Sequence, residues 1–98
     1  MAYAGTMPRY LVIHHAPGVS QEDFQRNIPE VLAGKYATIV HTFVNLAHGT
    51  IVNIYEGDSE EAVGRELERV GFPYDEIQQI QFEASAADLR RMAGGELS

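Results

Sequence analysis

Thr38 to Glu56 reads TIVHTFVNLAHGTIVNIYE, two runs of β-branched and aromatic residues separated by Ala47-His48-Gly49. The pattern predicts strands over Thr38–Leu46 and Thr50–Glu56, joined by a three-residue loop with Gly49 at its left-handed position. A loop of that length sets Leu46 opposite Thr50, Val44 opposite Val52 and Thr42 opposite Ile54, a set expected to face the helices. The other face then pairs Asn45 with Ile51, Phe43 with Asn53 and His41 with Tyr55. A slip of one residue would exchange the faces, because side chains alternate with a period of two.

Upstream, Tyr10–His15 (YLVIHH) is a short strand-forming run closed by Ala16-Pro17-Gly18. Ser20 ahead of Gln21-Glu22-Asp23 signals a helix start, and Phe24, Ile28, Val31 and Leu32 form its apolar stripe. Pro29 either kinks this helix or divides it after Asn27, and Gly34 closes it. Downstream of the hairpin, Asp58 or Ser59 caps a second helix whose buried stripe is Ala62, Val63, Leu67 and Val70. Its acidic residues, Glu60, Glu61, Glu66 and Glu68, read as a solvated face. Gly71 and Pro73 end it, Ile77–Glu83 is the last strand, and Ser85–Met92 a short terminal helix.

Strand, helix, strand, strand, helix, strand is the split βαβ order. It predicts a ferredoxin-like α+β fold, βαββαβ, with an antiparallel sheet ordered 4-1-3-2 and both helices on one face. Residues 1–98 are expected to form a single domain with an ordered core over about 9–93, and the ends, Met1–Met7 and Gly94–Ser98, to be mobile tails. The uncovered face would carry Ile39, Phe43, Ile51, Tyr55 and Ile77, too much apolar surface to leave in water. A second copy of the sheet is the economical cover, so a homodimer of the dimeric α/β-barrel kind is expected.

The composition is that of a globular chain, with 45% hydrophobic and 21% charged residues. The absence of cysteine excludes disulfides, thiolate metal sites and cysteine nucleophiles. No apolar run reaches the roughly 20 residues that span a bilayer, and Met1–Arg9 lacks the pattern of a signal peptide, so a cytoplasmic location is expected. A formal charge of −7 repels phosphate backbones and anionic lipid, arguing against nucleic-acid and membrane partners.

The chemistry-bearing residues are the four histidines, His14, His15, His41 and His48. His14 and His15 are neighbours in a strand and point to opposite faces. If Leu11 and Ile13 face the helices, the open face gathers a ligand pocket of Tyr10, His14, Phe43, Asn45 and Asn53, or a plain dimer interface. There His41, across from Tyr55, is the best candidate for a general base near neutral pH. The end of the first strand lies near Asn45 and His48, whereas Glu56 sits near the opposite end, where its carboxylate can also receive helix amides. His14 and His41 should be on the order of 10 Å apart, too far for one ion within one chain. No phosphate-cradling loop, nucleophile elbow or HExxH is present.

Val52 to Ile77, VNIYEGDSEEAVGRELERVGFPYDEI, joins a strand ending in Tyr55-Glu56 to a helix with Glu61-Ala62-Val63 and then to Gly71-Phe72-Pro73-Tyr74-Asp75-Glu76-Ile77. With a histidine at the end of the first strand, it resembles a family of small bacterial ferredoxin-like proteins of unknown function that includes a nickel-binding protein. The likeness runs from about Tyr10 to Phe82. It implies a divalent transition metal such as nickel as cofactor, with His14, His15, His48 and Glu56 as candidate ligands. The family's nickel pattern has further histidines on the second helix and before its terminal proline; here those positions read Glu66-Leu67 and Phe72. The expected function is therefore a small homodimeric metal-binding protein. The alternative is a dimeric α/β-barrel enzyme (a cofactor-independent oxygenase, isomerase or cyclase) acting on a small hydrophobic organic substrate in the open-face pocket.

Overall fold

A computed structural model describes residues 7–94, so most of the two expected tails lies outside the described residues. Seven elements follow in the order β1 (Arg9–His15), α1 (Gln21–Ala33), β2 (Thr38–Asn45), β3 (Thr50–Glu56), α2 (Glu60–Val70), β4 (Glu76–Ile80) and α3 (Ala86–Ala93). The four strands make one antiparallel sheet ordered β2-β3-β1-β4, the expected order read from its other edge. The helix starts follow local chemistry. Ser20, Ser59 and Ser85 accept from the backbone N–H three residues on, each contact worth about 1 kcal/mol. Gly71 ends α2 in the left-handed region at φ 78°, where only glycine is unstrained. Pro29 lies inside α1 without dividing it.

α1 rests on β2, α2 rests on β4, and the two helices touch, so one face of the sheet is covered. Its core is Tyr10, Val12, Ala37, Tyr55, Val63 and Leu67, with Ile39 and Ile77 packed against it. α1 is only loosely seated. None of its side chains is fully buried, and Ile28 and Leu32 remain exposed, contrary to the stripe expected of it.

The faces of β1 and β3 are the reverse of those expected. Tyr10, Val12 and His14 pair with Tyr55, Asn53 and Ile51, and all six point toward the helices. Leu11, Ile13, Val52 and Ile54 instead lie on the open face, beside His41, Phe43 and Asn45 of β2. The cause is one residue of loop. The turn spans residues 46–49, so Asn45 pairs with Thr50, Phe43 with Val52 and Val44 with Ile51. Gly49 is required twice over: its φ is 70°, and a Cβ there would stand 2.7 Å from the Pro17 backbone. That close approach, with the Ala16 N–H bonded to the Gly49 carbonyl at 2.7 Å, ties the hairpin tip to the β1–α1 loop.

Glu66 is a second departure from expectation. It is not solvated but 0% exposed. Its carboxylate accepts from the backbone N–H groups of Lys35 (3.0 Å) and Tyr36 (2.8 Å) and from Arg69 at 2.6 Å. Arg69 also reaches the Glu30 carboxylate and carbonyl, so this hub binds α2 to the end of α1. Burial alone would raise the Glu66 carboxyl, but Arg69 and the two amides outweigh it and hold the group below the usual carboxylate range.

Candidate functional site

His14 is buried on the helix side of β1, 3% exposed. Its Nδ1 lies 2.9 Å from the Pro73 carbonyl and its Nε2 lies 3.0 Å from the Asn53 amide nitrogen. A carbonyl only accepts, so Nδ1 carries the proton, and Nε2 of the neutral ring accepts from Asn53. The Phe72 ring stands edge-on to the imidazole at 5.7 Å. Both ring nitrogens are thus committed within the protein.

Burial lowers the His14 pKa and outweighs the Pro73 bond and the Asp75 charge, which act the other way. A histidine lowered by folding takes up its proton more readily in the unfolded chain. Its contribution to stability is therefore complete above about pH 6.5 and is lost as pH falls from there through the folded value. Urea denaturation at about pH 7.5 and about pH 5.5 should show a smaller acid loss in His14→Gln than in the unmodified protein. Equal losses would refute this account of His14.

His15, the next residue, lies on the open side and is exposed. Its Nδ1 is in close contact with an Asp75 carboxylate oxygen. Asp75 is itself placed by its N–H, which donates to the Ile13 carbonyl at 2.8 Å. A carboxylate that accepts from one ring N–H leaves the other ring nitrogen with its lone pair free, the usual arrangement behind a metal-bound histidine. Asp75 escaped the sequence reading as a partner because it is sixty residues away; the Gly-Phe-Pro-Tyr-Asp run carried the only signal.

The other expected site residues scatter. Glu56 is held by Arg9 at 3.0 Å, and Arg9 also reaches Glu83 at 3.2 Å. His48 is exposed in the hairpin turn, and its N–H donates to the Asn45 side chain at 3.1 Å, so Asn45 shapes a turn instead of lining a pocket. Phe43 and His41 do share the open face, their rings 6.0 Å apart. Tyr10, His14, Asn53 and Tyr55 are on the helix side, so the expected open-face pocket is divided between the two faces of the sheet. His41 and Tyr55 are likewise parted: His41 pairs with Ile54, and Tyr55 pairs with Ile39 on the opposite side. Burial, with the nearby Glu66 charge, pushes the Tyr55 phenol up to about 12, and its hydroxyl has no hydrogen-bond partner among the described residues. Such a group is a poor acid or base near neutrality.

Sequence reading also missed a pocket. The loosely seated α1 leaves a cavity of about 240 Å³ against β2, lined by Phe24, Ile28, Val31, Ile39, Asn53 and Phe72 among others. Among the described residues no group of three or more histidine and carboxylate side chains is close enough to hold a metal ion. No helix among them is long and apolar enough to cross a membrane.

A four-stranded antiparallel sheet with an Asp75-paired histidine at the end of its first strand defines a small protein of the α+β class. The chain belongs to the SCO4226-like family of nickel responsive proteins, whose model matches residues 10–80. It is similar to SCO4226 from Streptomyces coelicolor A3(2), whose crystal structure aligns with a TM-score of 0.69 at 28% identity, covering 78% of this chain and 99% of that one. A search of curated proteins found no match. α3 falls beyond the residues that the family model matches.

Proposed function

We propose that the protein is a small homodimeric binding protein for a divalent transition metal, nickel foremost. Membership of a nickel responsive family is the observation that carries this reading. Of the four candidate ligands, His15 fits best: its Nδ1 is engaged by Asp75, its side chain is exposed, and Nε2 has no partner among the described residues. His14 fits poorly, since Pro73 and Asn53 take both ring nitrogens, and Glu56 is engaged by Arg9. One chain thus offers a single prepared imidazole, with His48 as an exposed second donor at the same end of the sheet. A complete coordination shell needs further donors from a second copy or from water. Imidazole with oxygen donors suits nickel, and also copper and zinc.

The open face favours the second copy. Leu11, Ile13, Phe43 and Val52 are neighbours by strand pairing and keep part of their surface exposed, while Ile54 beside them is already buried within the chain. Sheet-to-sheet pairing there would make the dimeric α/β barrel and bring two His15 residues into one assembly.

Calorimetric titration of metal-free protein with Ni2+, Zn2+ and Cu2+ tests the reading. The expected result is stoichiometric Ni2+ binding that His15→Ala removes and that Asp75→Ala weakens by about tenfold or more. Affinity should also fall with acid, because protons compete with the metal for the ligand nitrogen. Absence of binding, or binding indifferent to His15→Ala, would overturn the assignment.

A further inference from the structure

We propose that the pocket between α1 and β2 binds a small neutral aromatic alcohol of the phenol class, its hydroxyl donating to the carboxamide oxygen of Asn53. This site is on the helix side of the sheet and does not depend on the metal reading.

The pole of the pocket is defined by hydrogen-bond bookkeeping. The Pro73 carbonyl obliges His14 to carry its proton on Nδ1, so Nε2 accepts. Asn53 must then turn its amino group toward His14, as the 3.0 Å contact shows, and its oxygen is the group left over. Asn53 is only 4% exposed and lines the pocket, and that oxygen has no hydrogen-bond partner among the described residues. That oxygen is not among the fully buried unpartnered atoms, so it stays reachable from the pocket and can accept from a ligand that supplies a donor.

The rest of the lining sets the remainder of the ligand. Phe24 and Phe72 offer ring surfaces, while Ile28, Val31 and Ile39 are aliphatic. The lining includes no Asp, Glu, Lys or Arg, so neither a carboxylate nor an ammonium group would find a partner. At the packing density of protein interiors, 240 Å³ holds roughly ten non-hydrogen atoms. One aromatic ring with a short substituent and one hydroxyl matches that volume and the Asn53 acceptor, with Asn27, His41 and Thr42 the other polar residues of the lining. The looseness of α1 is consistent with a helix that closes down on an occupant.

The test is a titration of isotope-labelled full-length protein with 4-ethylphenol and with ethylbenzene, followed by amide NMR. The expected result is saturable shifts at the Asn53 side chain and at Phe24, Ile39 and Phe72, with ethylbenzene binding about tenfold more weakly for want of the hydroxyl. Asn53→Leu should bring the two ligands to the same affinity. Because that change also orphans His14 and can unfold the chain, Ile28→Trp serves as a second variant. It fills the pocket from a partly exposed position and should abolish binding of both ligands. Shifts located elsewhere, equal affinities in the unmodified protein, no saturable shifts, or unimpaired binding in Ile28→Trp would each overturn the proposal.

Discussion

Glu66→Ala should lower the unfolding free energy by about 3 kcal/mol or more, the largest loss expected of any single carboxylate in this chain. The change strips the Lys35 and Tyr36 amides of their acceptor and leaves Arg69 without its closest partner. A buried donor left unpaired costs about 1–3 kcal/mol, these two amides are partly buried, and Arg69 would retain its contacts to Glu30. Glu66→Gln keeps an acceptor for the two amides and surrenders only the charge, so its cost should be clearly smaller. The sign with pH follows from the lowered carboxyl: the stabilisation is present above the ordinary carboxylate range and disappears as pH falls through the folded value. Urea midpoints for the three proteins, at one protomer concentration and near pH 7, decide the matter. If Glu66→Ala lies within about 1 kcal/mol of the unmodified protein, the hub is ornamental.

Phe43→Glu should convert the proposed dimer to a monomer, with a loss of self-affinity on the order of a hundredfold or more. Phe43 is 59% exposed in the single chain, so a carboxylate there costs the isolated fold little. Across a two-fold axis, however, the charge would be buried against the apolar row of Val52 and Ile54, in a protomer already at −7. Sedimentation equilibrium on both proteins reads the effect, and circular dichroism confirms that the fold persists. A dimer that survives the substitution would place the interface elsewhere. An unmodified protein that is monomeric at tens of micromolar would end the dimer reading itself.

Much of the fold was legible in the chain because its signals are local. Ser20, Ser59 and Ser85 announce helix starts, Gly71 announces a stop, and Thr38–Glu56 announces a hairpin. Glu66 could have been found as well. It falls three residues after Val63 and four before Val70, on the buried stripe, and only the habit of reading acids as solvated hid it. The candidate site was much less legible. His14 and His15 are adjacent, and their roles diverge through partners about sixty residues away, Pro73 and Asp75.

The order of elements, the caps, the strand order and the family membership were all determined by the sequence itself, since each depends on neighbouring residues or on a long run of them. Which face of β1 and β3 is inside was not. Leu11, Ile13, Val52 and Ile54 are as apolar as Tyr10, Val12, Ile51 and Tyr55, so a period of two gives alternation without its sign. Tertiary structure made that choice: a turn over 46–49 in place of a three-residue loop, and α2 packing Val63 and Leu67 against Tyr10, Val12 and Tyr55. With that choice His14 turned inward to Asn53 and His15 outward to Asp75, which is where both proposed sites begin.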